Sequence, residues 1–255
     1  MRTVADDLGA RVELPDRVQR VVSLVPSLTE SVATTEPAAL VAVTQWCTHP
    51  PDLDVERVRG TKNPDVRRIA ALHPDVVLAN QEENRRLDVE RLRAAGVPVW
   101  VTAIESVPEA LKSLRRMFVD ALGWEEPEWL AQSRAQWLDE LPSRLRVAIP
   151  VWRDPWMVVG SRTFAGDLAA RLGLVNVFAD DPARYPRVEP AEIARRRPDV
   201  VLLPDEPYAF SAHDGPDAFP GLACALVDGR ALTWYGPSLL TARGRIESAI
   251  AAATG

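Results

Sequence analysis

Ile69-Ala70-Ala71-Leu72-His73-Pro74-Asp75-Val76-Val77-Leu78 returns later in the chain as Ile193-Ala194-Arg195-Arg196-Arg197-Pro198-Asp199-Val200-Val201-Leu202. Each copy reads as a short helix, a turn and a strand. Pro-Asp is turn chemistry, and Val-Val-Leu suits a strand buried on both faces of a parallel sheet. Two widely separated copies predict two similarly built lobes, because a solenoid needs a shorter and repeated period.

Working outward from the first copy, strands are predicted over 20–25, 40–44, 76–79 and 97–102, with helices over 27–33, 65–72 and 84–95. Around the second copy, strands are predicted over 146–151, 200–204 and 225–227, with helices over 164–172, 190–196 and 237–252. Strands alternating with helices give βαβ units and mainly parallel sheets. Between them, Leu111, Leu114, Phe118, Leu122, Trp129, Leu130, Trp137 and Leu138 recur in steps of three and four, which is helical spacing. Gly123 and Pro127 are placed to kink or break that helix. The expected organisation is an α/β lobe over 1–105, a connecting helix over 106–144 and a second α/β lobe over 145–255.

With 255 residues, 47% hydrophobic and 26% charged, the chain can bury two ordinary cores and keep a soluble surface. Its net charge of -6 offers no basic footprint for nucleic acid. No apolar run approaches the roughly 20 residues of a membrane-spanning helix. The N-terminus, Met1-Arg2-Thr3-Val4-Ala5-Asp6-Asp7, lacks the apolar run and cleavage site of a secretory signal. As written, the chain is expected in the cytoplasm. A trimmed N-terminus would make it periplasmic or extracellular. The two cysteines, Cys47 and Cys224, define no disulfide framework.

Ligands of open α/β sheets lie outside the carboxyl ends of the strands, so the residues after each strand are the candidates. Ser27 is an N-cap or the start of an anion site. Gln45-Trp46-Cys47-Thr48-His49 offers a stacking face in Trp46 and two metal donors in Cys47 and His49, half of an ordinary zinc set. Glu82, Glu83 and Asn84 either cap the next helix or anchor a ligand. In the second lobe Trp152, Arg153 and Trp156 share one loop. Arg162, Arg184 and Tyr185 follow; Glu206, Tyr208 and His213 come after the repeated strand; and Trp234 and Tyr235 precede the last helix. Trp100 is read as core. Aromatic faces with a few fixed polar groups describe a pocket for a large, flat or partly anionic molecule. No glycine-rich phosphate loop, nucleophile elbow or His-Glu-x-x-His is present. No catalytic residue is assigned, although Glu82, Glu83 and Glu206 are titratable.

These residues resemble the helical-backbone metal receptor superfamily, the class III binding proteins of cobalamin, siderophore and haem importers. The resemblance covers almost the whole chain. It begins at Asp7-Leu8-Gly9-Ala10-Arg11-Val12-Glu13-Leu14-Pro15, the opening hairpin, and continues through Arg20-Val21-Val22-Ser23-Leu24-Val25-Pro26-Ser27-Leu28-Thr29-Glu30, the first strand and turn. It implies two lobes joined by a long backbone helix, with a metal chelate held between them. The cobalamin-type branch is the most similar: Trp46 and Tyr185 match positions whose aromatics face the corrin, and Trp156-Met157 falls near a third. Asn80 stands where another aromatic is usual. The segments at 46–50, 60–63, 82–84, 152–155, 184–186, 206–208 and 234–236 recur together in a subgroup often labelled cobalamin-binding.

The resemblance implies cobalamin or another metal chelate as ligand and an ABC permease as partner, docked through one acid on each lobe. The second-lobe acid matches Glu192. Its first-lobe counterpart is Arg67, a reversed charge that would repel a permease arginine. Ligand contacts are expected from Trp46, Glu82, Glu83, Asn84, Trp152, Arg153, Trp156, Tyr185, Glu206, Tyr208, His213, Trp234 and Tyr235. The alternative is a cytoplasmic cofactor-handling protein or enzyme with a metal at Cys47, His49 and His213.

Overall fold

The computed structural model describes residues 1–255, which divide into two compact units. The first comprises Met1–Ile104, Glu109–Arg134 and Tyr235–Pro237; the second comprises Glu105–Pro108, Ala135–Trp234 and Ser238–Gly255.

The first unit is built on a five-stranded sheet in the order Glu56–Arg57, Leu40–Val43, Val21–Ser23, Val76–Asn80, Val99–Thr102, with every neighbour parallel. All five residues of Val76–Asn80 are buried, as an apolar strand covered on both faces requires. Val22, Val77 and Val99 pack with Ile69 and Leu92 of the helices Val66–Ala71 and Arg86–Ala94. The expected opening hairpin pairs Arg2–Ala5 with Arg11–Leu14. Its turn is closed by buried Asp6, whose Oδ1 accepts from the amides of Leu8 and Ala10 at 3.0 and 2.8 Å.

The second unit has a four-stranded, wholly parallel sheet ordered Leu174–Asn176, Leu145–Ala148, Val200–Pro204, Ala223–Val227. The helices Phe164–Arg171, Pro190–Arg195 and Leu239–Thr254 lie close to the predicted spans. The edge strand Leu174–Asn176 was not predicted: Leu-Val-Asn is too short to show a period. The predicted 146–151 strand is two strands, Leu145–Ala148 and Pro150–Trp152, the latter turning back on Met157–Val158.

The sequence echo extends to atomic detail. Asp75 Oδ2 accepts from the Arg20 amide at 2.9 Å, and Asp199 Oδ2 accepts from the Arg146 amide at 2.7 Å. Each arginine then turns its guanidinium onto the end of the helix that precedes that aspartate. Arg20 donates to the carbonyls of Leu72 and His73 at 2.7 and 3.3 Å, and Arg146 to those of Arg196 and Arg197 at 2.8 and 3.2 Å. His73 and Arg197 both take the left-handed conformation, φ 46° and 52°, that ends their helices.

The connector is helical in pieces. Val107–Arg116 runs into a π-helical turn at Met117–Ala121, and a separate helix covers Glu128–Trp137. The break falls at the expected Gly123 and Pro127. Gly123 has φ 67°, and a Cβ there would lie 2.0 Å from the Asp16 carbonyl oxygen, so only glycine fits. Phe118 packs edge-on against Trp129 with centroids 5.9 Å apart. Trp100 is fully buried, as read.

Candidate functional site

On the first unit, the end of Val76–Asn80 is organised by two amides. Asn80, buried, donates to the carbonyl and hydroxyl oxygens of Thr102 at 3.2 and 3.0 Å. Its Oδ1 accepts from the amides of Glu82 and Glu83 at 2.8 and 3.2 Å. Asn84 accepts from the Asn80 amide at 2.9 Å and donates to the Thr61 carbonyl at 2.9 Å. Buried at 5% exposure, Asn84 is a clamp for the turn, which corrects its assignment as a ligand contact.

The clamp presents Glu82 and Glu83 beside Lys62, whose Nζ donates to the Glu82 carbonyl at 2.5 Å. Burial pushes the Glu83 carboxyl above the usual range; Lys62 opposes that shift and Glu82 adds to it. Trp46 stands on the loop after Leu40–Val43 and is 60% exposed. A Cβ at Gly60 would lie 3.2 Å from its Nε1, so glycine lets the indole lie against the backbone.

On the second unit, the loop after Pro150–Trp152 meets the loop after Val200–Pro204. Trp152, 43% exposed, meets Tyr208 edge-on at 5.8 Å, and Tyr208 is 4.7 Å from Phe210. Arg153 pairs with Asp217 through two bonds of 3.1 and 3.0 Å, pairs also with Asp214, and lies 5.4 Å over the Trp156 ring. The bonds to Asp217 raise the guanidinium's pKa and lower that of the Asp217 carboxyl. Tyr208 donates its hydroxyl to Asp214 Oδ2 at 2.6 Å, which raises the phenol's pKa. Glu206 is half-buried, and burial, reinforced by Asp205 and Asp228, pushes its carboxyl up to about 7.

Other assignments change with burial. Trp156 is 8% exposed and stacks on Phe210 at 5.7 Å within the core of Phe178, Ile193, Val201 and Leu203. It supports the rim from beneath. Trp234 and Tyr235 are each 7% exposed; Trp234 packs under the Arg230 guanidinium at 5.2 Å, and Tyr235 is buried with the first unit. Cys47 is fully buried between the hydroxyls of Thr29 and Thr44, at 3.0 and 3.2 Å, and burial raises its thiol pKa. That position corrects the metal assignment of Cys47 with His49: the thiol faces the core, the His49 Nδ1 meets the Thr48 hydroxyl at 3.1 Å, and no group of three His, Cys, Asp or Glu converges. His213 is exposed on the Tyr208–Asp217 loop, and Tyr185 is half-buried next to Arg184, which pairs with Glu105.

Asp214, Asp217, Phe210 and Lys62 were missed. Asp214-Gly215-Pro216-Asp217 carries turn residues, but only the fold reveals that both acids face Arg153. The alternation in Tyr208-Ala209-Phe210 was the available clue.

Two units, each built on a wholly parallel sheet flanked by helices, match the substrate-binding-protein fold of class III. No family model matches the sequence. The chain is 28% identical over 199 residues to the vitamin B12-binding protein of Pectobacterium carotovorum subsp. carotovorum, covering 74% of this chain and 72% of that protein. The periplasmic vitamin B12 binding protein BtuF of Vibrio cholerae has the same fold: TM-score 0.72, 21% identity, 92% of this chain and 98% of that one. So does the periplasmic heme-binding protein RhuT from Roseiflexus sp. RS-1: TM-score 0.76, 23% identity, 93% of this chain and 100% of that one. The chain therefore has the class III periplasmic-binding-protein fold, and its sequence is similar to those of vitamin B12-binding proteins.

Proposed function

We propose that this chain is the substrate-binding component of an ABC-type importer, and that its ligand is a metal chelate of the corrinoid or tetrapyrrole type. The observation that carries this reading is a pair of exposed indoles: Trp46, on the loop after a strand of the first unit's parallel sheet, and Trp152, at the end of the antiparallel pair that Pro150–Trp152 forms with Met157–Val158. Large apolar rings at such positions are stacking faces for a flat ligand. The vitamin B12-binding and heme-binding relatives support the same ligand class. Glu82, Glu83, Tyr185, Tyr208 and His213 supply the polar rim. The role is binding and delivery rather than catalysis, and its place is outside the cytoplasm, in the compartment named for the periplasmic relatives. No helix is long and apolar enough to cross a membrane. Glu192, beside Arg195 and Arg196, is the contact on the second unit; exposed Arg67 asks for a neutral or acidic surface from its partner.

Titrating cyanocobalamin, haem and a ferric siderophore while following tryptophan emission tests the proposal. Saturable quenching by at least one is expected, reduced about tenfold or more in apparent affinity by Trp46→Ala or Trp152→Ala. No response to any of the three overturns it.

A further inference from the structure

The charge of the second unit's rim points to the chemistry of the ligand's edge, resting on the reading of this chain as a chelate receptor. Arg153 looks like an anion anchor in the sequence, yet both carboxylates it meets lie farther out than the guanidinium. Its side chain is 23% exposed, against 40% for Asp214 and 54% for Asp217. Bidentate pairing with Asp217 and the further pair with Asp214 use the planar fork of donors. The Tyr208 hydroxyl spends its proton on Asp214, leaving oxygen lone pairs for anything that approaches. Arg184, the neighbouring basic candidate, is paired with Glu105. Within the Arg153 network the polar atoms on offer are therefore acceptors, and one guanidinium faces two carboxylates, with Asp154 and Asp205 exposed on the same loops. Exposed Arg187, bridged to the Met157 that pairs with Trp152, lies outside that network.

We propose that this rim selects chelates whose edge donates hydrogen bonds, through amide N–H, hydroxyl or ammonium groups, and discriminates against those edged with carboxylates. A carboxylate brought here meets like charge and no uncommitted donor in the Arg153 network, whereas an amide edge meets the outer oxygens of Asp214 and Asp217.

Matched ligands isolate the effect. The purified full chain is titrated with cyanocobalamin and with its acid-hydrolysed derivatives, in which peripheral amides are carboxylates. Iron protoporphyrin is compared with its diamide in the same way. The amide member of each pair that binds is expected to bind at least tenfold tighter, and the affinity of the carboxylate member is expected to rise as sodium chloride screens the repulsion. Asp214→Asn combined with Asp217→Asn frees Arg153 and should narrow or reverse the preference. The salt dependence of the unmutated protein decides the matter if that variant does not fold. A carboxylate member that binds as tightly as its amide, or weakens with salt, overturns the proposal and leaves the receptor reading intact. If Arg162→Gln then abolishes that binding, the overturning contact is a second guanidinium. Failure of every member to bind removes the receptor reading itself.

Discussion

Arg20 and Arg146 do the same work in the two units, each receiving an aspartate at its amide and turning its guanidinium onto the end of a helix. Past the matching strands the units part. Val76–Asn80 ends in a turn tied by the amides Asn80 and Asn84, almost entirely through backbone partners. Val200–Pro204 ends in a loop held by edge-on and tilted ring contacts and the Arg153 ion pairs, side chain against side chain. Bonds directed at the backbone preserve the frame whatever side chains follow. The rims can therefore diverge without disturbing the sheets that carry them.

The sharpest way to break this comparison is to remove rings at two depths of the second rim. Trp156→Ala is expected to lower the stability of the second unit by about 3–5 kcal/mol, because it opens a cavity under Phe210 and Phe219. Trp152→Ala should shift stability by no more than about 0.5 kcal/mol and act on ligand affinity instead. Urea unfolding of the two variants reads the contrast; equal losses would mean that Trp152 is also core.

A smaller effect concerns Glu206, whose carboxyl stands at about 7 in the fold against 4.5 ordinarily. Between those values the folded chain keeps a proton that the unfolded chain has released. Stability should therefore fall as pH rises from about 4.5 to 7, by on the order of 2 kcal/mol. Melting temperature measured across that range should decline, and Glu206→Gln should remove that part of the decline. An unchanged profile in the variant would show that the carboxyl titrates normally.

Smallest, and most direct for the shared frame, are Asp75→Ala and Asp199→Ala. Each should cost about 1–2 kcal/mol, and the two losses should match within about 0.5 kcal/mol. Hydrogen exchange at the amides of Arg20 and Arg146 locates the damage. Markedly unequal losses would mean that the echo is one of shape without equal energetic weight.

Much of the frame was legible because strand burial and turn chemistry are written locally. Val-Val-Leu after Pro-Asp defines a buried parallel strand wherever it occurs, and both copies form one. The short pieces were not legible, since two- and three-residue strands such as Glu56–Arg57 and Leu174–Asn176 carry no period. Nor was the burial of the aromatics: Trp46 and Trp156 are both tryptophans in strand-end loops, yet one is 60% exposed and the other 8%. Cys47 looked like a metal donor beside His49 until its thiol was found between Thr29 and Thr44.

The sequence by itself determined two α/β units, the positions of their principal strands and helices, the break at Gly123 and Pro127, and the loops where chemistry gathers. All of these follow from periodicity and turn residues within a few positions of one another. Only the tertiary structure decided which rings face solvent and that Arg153 is already matched by Asp214 and Asp217, because burial and ion pairing depend on segments far apart in the chain meeting in space.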